Sequence, residues 1–263
     1  STSGFGPFNN RTDTNENILG LYAQDTLSLL PQLLLTAGVR YDQDMIESNF
    51  EDTFTPAGIG KKTFYRTNPR AGLTYLIHPD ASVYFNYSQG FRVPTYLELF
   101  PVVGQSNQFL KPITSDNFEF GGKTRLWNWG EASLSLFQSD VRNEIYFNCT
   151  NCDVFSGGYD GLNRNIDRTK RQGFETSFKG RYNEYFDGMI NYTFTEATFQ
   201  STFNISATKT ITPGNTIPLV PRNRFSVTGN IHPSEGLTLS LIGLYVGSQF
   251  YLNDENNTQP RLP

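Results

Sequence analysis

The residues best suited to chemistry are Cys149 and Cys152, the only two cysteines, in the string Asn-Cys-Thr-Asn-Cys. A Cys-x-x-Cys pair can be half of a zinc site, a thiol–disulfide exchange motif or a small structural bridge. Zinc would want two more ligands nearby, and the two histidines, His78 and His232, are far off in sequence. A thioredoxin-like redox motif would want a βαβ context, which is missing. The expectation is a disulfide in an exposed loop, formed in an oxidising compartment, with a free dithiol as the alternative. Each histidine precedes a turn proline, in His78-Pro79 and His232-Pro233, so each is expected as a solvated turn residue and no metal site is assigned.

Charged residues recur at alternating positions. Glu119 and Lys123 share one side of an extended segment, and Glu175 and Lys179 share one side of another. If such segments cross a membrane, that side is expected to face a wet lumen, where Lys and Glu can pair with a neighbour, because they are costly against lipid. Arg92, in Gly-Phe-Arg-Val-Pro, sits where a strand gives way to a loop. Its guanidinium either lines a ligand vestibule or makes a structural ion pair, and the ion pair is favoured. Tyr96, Phe100, Phe109 and Tyr159, in the long polar stretches, are the other vestibule candidates. There is no nucleophile–base arrangement, no phosphate-cradling glycine loop and no cluster of metal ligands, so no catalytic residue is assigned and the protein is not expected to be an enzyme.

The elements that must carry these residues are strands. Val83, Phe85 and Tyr87 oppose Ser82, Asn86 and Ser88; Phe118 and Phe120 oppose Asn117, Glu119 and Lys123; Phe174 and Phe178 oppose Glu175, Ser177 and Lys179; Ile190, Tyr192 and Phe194 oppose Asn191, Thr193 and Thr195; Phe225 and Val227 oppose Ser226 and Thr228. A period of two in segment after segment predicts strands with one apolar and one polar face. Two segments depart. In 134–141 the apolar phase shifts between Leu136 and Phe137, and in 237–246 both faces are largely apolar, so a bulge or a changed environment is expected there. Short turns are predicted at 30–32, 78–80, 127–130, 182–187 and 232–236, all at one end, and long polar loops at 46–62, 91–113, 148–163 and 197–218.

Composition agrees. Hydrophobic residues make up 37% of the 263, while Phe and Tyr are abundant at 22 and 14. That suits strands needing apolar residues on one side only, around a wet interior. Short turns at one end and long loops at the other are the grammar of a transmembrane β-barrel, and Trp127, Trp129, Tyr182, Tyr185 and Phe186 crowd two short turns as an aromatic girdle would. A net charge of −4 and the absence of basic aromatic runs argue against nucleic acid. No apolar run reaches the length of a membrane-spanning helix.

Several strings together resemble the barrel of TonB-dependent outer-membrane siderophore receptors. They are LGLYAQDTLSL with LLLTAGVRYDQ, TNPRAGLTYLIHPDASVYFNYSQGFRVPT, LKPITSDNFEFGGK, NRNIDRTKRQGFE, IPLVPRNRFSVTGNI and YVGSQFYLNDENNTQPRLP. The Leu-x-Pro…Glu-x-Gly-x-Lys signature falls on Leu110, Pro112, Glu119, Gly121 and Lys123, with Ile113 where the family usually has an acid, and the Gly-x-Glu strand start falls on Gly173 and Glu175. The resemblance implies an all-β fold: about ten antiparallel strands of a plugged barrel of about 22. Residues 1–263 are then one partial barrel domain in the outer membrane, with plug, first barrel half and closing strands absent; the opening Ser1-Thr2-Ser3-Gly4 reads as an internal start.

The resemblance further implies a receptor that captures a ferric siderophore and imports it with energy from the TonB complex of the inner membrane, reached through the plug region. Iron would enter only as part of the bound siderophore, with no resident cofactor. A passive porin, a receptor for cobalamin or another cargo, and a soluble β-sandwich binding carbohydrate are the alternatives.

Overall fold

The structure is a computed structural model and describes residues 10–52, 58–99, 107, 109–151, 160–204 and 209–263. In chain order it forms strands β1 (Asn10–Leu30), β2 (Leu33–Asp52), β3 (Gly58–His78) and β4 (Ala81–Arg92), the single-turn helix α1 (Tyr96–Leu99), then β5 (Ile113–Leu126), β6 (Gly130–Asn151), β7 (Asp160–Arg181) and β8 (Phe186–Phe199), the two-residue pair β9 (Phe203–Asn204) and β10 (Thr210–Ile211), and finally β11 (Asn223–Ser234) and β12 (Leu237–Val246). Ten of the strands form one sheet in the order β1-β2-β3-β4-β5-β6-β7-β8-β11-β12. Every neighbouring pair is antiparallel.

The tight turns fall where the turn residues predict. Trp127 and Gly236 take the left-handed backbone their turns need, with φ of 52° and 81°, and Asn183 Oδ1 accepts from the N–H groups of Tyr185 and Phe186. The turns stand side by side at one end. Each is stitched to the next hairpin, by Leu76 N–H to Gln32 O, Arg125 N–H to Asp80 O, Arg181 N–H to Trp129 O and His232 N–H to Tyr185 O, at 2.6–2.9 Å.

Register carries the alternation across the sheet. Phe85, Phe120, Leu136, Phe174 and Phe194 stand opposite one another on five successive strands. One step nearer the turns runs the row Val83, Gly122, Leu134, Thr176, Tyr192, Phe225. Phe85, Phe120, Leu134 and Leu136 are about half exposed, Phe120 at 53%, and Val83, Phe174, Tyr192 and Phe194 are partly so. So wide an apolar surface suits lipid and not water. The next row outward, Phe118, Gln138, Gln172, Glu196, is already polar, and on β2 the apolar series ends at Tyr41. These limits mark the outer edge of the membrane-crossing band. Trp127 and Trp129 stack near the turn end, with ring centroids 6.3 Å apart.

Four expectations need correction. Strands β1, β2, β3, β6 and β7 run 20–22 residues, about twice what a crossing needs. The described parts of the polar stretches 46–62 and 148–163, residues 46–52, 58–62, 148–151 and 160–163, are therefore strand, because ladder hydrogen bonds continue beyond the membrane whatever the side chains. Cys149 lies within β6, opposite Gly161, and not in a loop; Cys152 is outside the described residues, so the bridge is too.

There is no break at Leu136–Phe137, where pairing with β5 is continuous. Phe137 simply faces the polar side, its ring over Gly173. The alternation breaks at Asn143, whose φ is 57°, so that Glu144 returns to the face of Thr169 and Arg171. In β12, pairing is regular from Leu239 to Val246, and Ile242 and Leu244 stand on the same face as Thr228 and Ser226. Lastly, His232 is not a solvated turn residue: its Nε2 meets Asp187 Oδ2 at 2.5 Å and its Nδ1 meets Thr238 Oγ1 at 3.1 Å. The turn folds it against the start of β8. His78 does remain exposed.

Enclosed packing lies at the loop end. One cluster joins Ile46, Phe64, Leu99 and Leu110. The other joins Ile166, Ala197, Phe199, Ile211 and Ile217, with Tyr146 and Phe203 against it.

Candidate functional site

The polar face of the sheet and the loops that fold onto its outer end make up the candidate site. At mid-height, Asn86, Glu119, Phe137 and Gly173 form one row, and Tyr84, Gly121, Ser135 and Glu175 form the next toward the turns. Tyr84 lies flat across Gly121, where any Cβ would sit 2.6 Å from its ring, and reaches Glu119 Oε1 at 2.5 Å. The glycine of the Glu-x-Gly-x-Lys string is thus the seat that lets a tyrosine lean along the wall. Glu119, Lys123, Glu175 and Lys179 all lie on this one face, and Lys123 and Lys179 stand nearer the turns.

Farther out on β2 and β3 the same face carries Arg40, Asp42, Asp44 and Asn68. Arg40 binds Asp42 at 2.7 Å, and Asn68 donates to Asp42 at 3.5 Å. Asp44 is buried, and its Oδ1 finds no donor. Burial, with the nearby carboxylates of Glu16 and Asp42, pushes its pKa up to about 6.

Arg92 is committed to an ion pair. Its two terminal nitrogens reach the two oxygens of Glu98 at 2.8 and 2.9 Å. Thr95 caps α1: Thr95 Oγ1 accepts from Glu98 N–H at 3.3 Å, and Thr95 N–H donates back to Glu98 Oε2 at 2.7 Å. This reciprocal capping box was readable as Thr95-x-x-Glu98. Burial raises the Glu98 pKa, but donation from Arg92 and Thr95 outweighs it and holds the carboxyl below its usual range. Leu99, fully buried between Ile46 and Phe64, pins the turn of helix to the wall. Tyr96 and Phe109 are left pointing to solvent, Phe109 at 91% exposure; Phe100 and Tyr159 are outside the described residues.

The second loop cluster is held by Glu255. Its buried carboxylate takes the Tyr146 hydroxyl and the Lys209 ammonium, while Asn215 donates to its carbonyl at 2.9 Å. Burial and Glu255 together push the Tyr146 hydroxyl well above its ordinary pKa. Arg171 pairs with Glu144 at 2.5 Å. The outer mouth is therefore rich in charges that neutralise each other, with exposed aromatic side chains among them. Among the described residues no group of three or more His, Cys, Asp and Glu could hold a metal.

A long antiparallel sheet with tight turns at one end, extended strands at the other and opposed apolar and polar faces is the wall of an outer-membrane barrel. The family of TonB dependent receptor-like β-barrels matches the chain over residues 1–263, and the chain belongs to that family, whose barrels are outer-membrane proteins. Among curated relatives, the probable TonB-dependent siderophore receptor PiuA of Acinetobacter baumannii is 23% identical over 221 residues, covering 80% of this chain and 28% of PiuA. The crystal structure of the siderophore receptor PiuA from that organism has a TM-score of 0.72 at 20% identity, covering 90% of this chain and 34% of that one. The copper transporter OprC has a TM-score of 0.69 at 14% identity, covering 90% and 37%. This chain thus spans roughly a third of the length of such relatives.

Proposed function

We propose that the polar face lines the lumen of a TonB-dependent receptor that carries a ferric siderophore across the outer membrane. The observation that carries this reading is the placement of Glu119, Lys123, Glu175 and Lys179 on one face at membrane depth, behind a continuous apolar row on the other. Charges at that depth are tolerable only where water or protein meets them. The relative named as a siderophore receptor supports the cargo class. Tyr96 and Phe109, exposed beside the pinned helix, are the proposed ligand contacts, with Arg92 holding the helix in place through Glu98. Iron is cargo within the siderophore, and energy comes from the TonB complex acting on a part of the receptor outside this chain.

The test is uptake of radiolabelled iron by cells whose only receptor is the full-length protein, supplied with ferric catecholate, hydroxamate or citrate. Copper belongs in the same panel because a copper transporter shares the fold. Saturable uptake of one ferric siderophore that stops when TonB is deleted is the expected result. Uptake that continues without TonB would make the barrel a passive pore.

A further inference from the structure

The apolar face of the sheet becomes charged above its apolar band. Beyond the row Phe118, Gln138, Gln172, Glu196, the same face continues with Gln89, Asp116, Asp140, Lys170 and Thr198, and then with Phe91, Thr114, Arg142 and Arg168. A strand rises about 3.3 Å per residue, and a strand crossing a membrane tilts by about 45°. These two rows therefore stand about 5 and 10 Å farther from the band, at the level of the polar headgroups. The carboxylates of this belt have donors. Asp116 accepts from the Tyr87 hydroxyl at 3.0 Å and from Gln89 Nε2 at 2.9 Å, and meets Arg142 at 3.4 Å. Asp140 accepts from Gln138 at 2.8 Å, and Glu196 from Gln172 at 3.1 Å. The cations are less well served. Arg168 stands directly opposite Arg142, where like charges repel, and Lys170 stands opposite Asp140. Among the described residues, neither the Arg168 guanidinium nor the Lys170 ammonium has an ion-pair or hydrogen-bond partner. Both arginines are exposed.

We propose that Arg142, Arg168 and Lys170 dock the phosphorylated headgroup of an outer-leaflet lipid, whose acyl chains run down the wall over Leu136, Phe174 and Phe194. The three side chains come from two neighbouring strands, with Lys170 two residues from Arg168 along β7. They are long enough to converge on one phosphate, which a guanidinium meets with two parallel N–H donors. A phosphate between the opposed arginines also removes their repulsion. Tyr87 marks the boundary between chains and headgroups: its ring packs on Phe118, with centroids 5.2 Å apart, while its hydroxyl reaches outward to Asp116. One lipid then meets cations with its head and the Leu136, Phe174, Phe194 row with its tails, the pairing that charge and burial both favour. The patch lies on the opposite face from Glu119 and Glu175, so cargo in the lumen does not meet it. The proposal rests on reading the apolar face as the lipid-facing outside of the barrel.

Full-length receptor in neutral detergent would be titrated with lipid A, a phosphorylated glucosamine lipid, and with its dephosphorylated form, and the bound lipid counted by native mass spectrometry. The expected result is preferential retention of the phosphorylated lipid. Arg168→Ala combined with Lys170→Ala should weaken that retention about thirtyfold, since each cation near an anionic lipid contributes about fivefold. Lys111→Ala, at an exposed loop position, should retain lipid as the parent does. Equal retention of the two lipid forms, or of lipid A by parent and double variant, overturns the proposal. So does displacement of lipid A by inorganic phosphate at the same concentration, which would make the patch a site for soluble anions. A lipid with a photoreactive acyl chain tells the docking site from the wall that carries it. Crosslinks on Phe120, Leu136 and Phe174 without any headgroup preference overturn the docking site alone, whereas no crosslinks on these residues refute the lipid-facing wall itself.

Discussion

Asp44 offers the sharpest quantitative test of the outer wall. The residue is 6% exposed, one carboxylate oxygen has no donor among the described residues, and Glu16 and Asp42 stand close by. Its pKa is raised from 3.8 to about 6, first by burial and then by those carboxylates. A carboxyl whose folded pKa lies above its unfolded one binds its proton more tightly when folded. Stability is then highest with the group protonated in both states, and falls as pH rises from about 4 to about 6. The shift of about two units corresponds to about 3 kcal/mol of penalty at neutral pH. Asp44→Asn removes the charge and keeps the shape. We expect it to stabilise the full-length receptor by about 2–3 kcal/mol at pH 8 and by much less at pH 4. Urea unfolding in detergent at the two pH values, with hydrogen exchange over 36–50 to localise the gain, measures this. A variant that destabilises at pH 8, or stabilises equally at both, would refute the assignment of a strained carboxylate to this site.

Two more outcomes follow from single contacts. Glu98→Gln should cost the α1 loop about 1 kcal/mol and speed limited proteolysis between 93 and 112 without moving the barrel's melting. Because Glu98 is held below its usual pKa, the difference from the parent should be full above about pH 4 and fade as pH falls further. Gly173→Ala should cost about 1–3 kcal/mol or block assembly, since its Cβ would overlap the Phe194 carbonyl oxygen and press on Phe137. Gly229→Ala, with open space around it, is the control expected to assemble normally, read out as resistance of the folded barrel to unfolding in SDS.

Much of this protein is local in origin and was therefore legible. Alternation is a property of neighbouring residues, so Phe118, Phe120, Phe174 and Tyr192 declared one face and Glu119, Lys123, Glu175 and Lys179 the other. Turn prolines, asparagines and glycines placed the hairpins. What periodicity could not give was the far neighbour. The phase change at Leu136–Phe137 reads as a bulge or a changed environment because the glycine beneath Phe137, Gly173, belongs to another strand. His232 reads as a solvated turn residue because its partner Asp187 lies 45 residues away, and Glu255 carries no local signal because its partner Tyr146 is 109 residues away. The length of the ladder beyond the membrane was hidden as well, since backbone hydrogen bonds do not depend on side-chain pattern. The sequence by itself determined strands, faces and turns; only the tertiary structure decided which charges neutralise one another at the mouth and which, as Lys123 and Lys179, have no partner among the described residues, because that depends on register between strands and not on order within one.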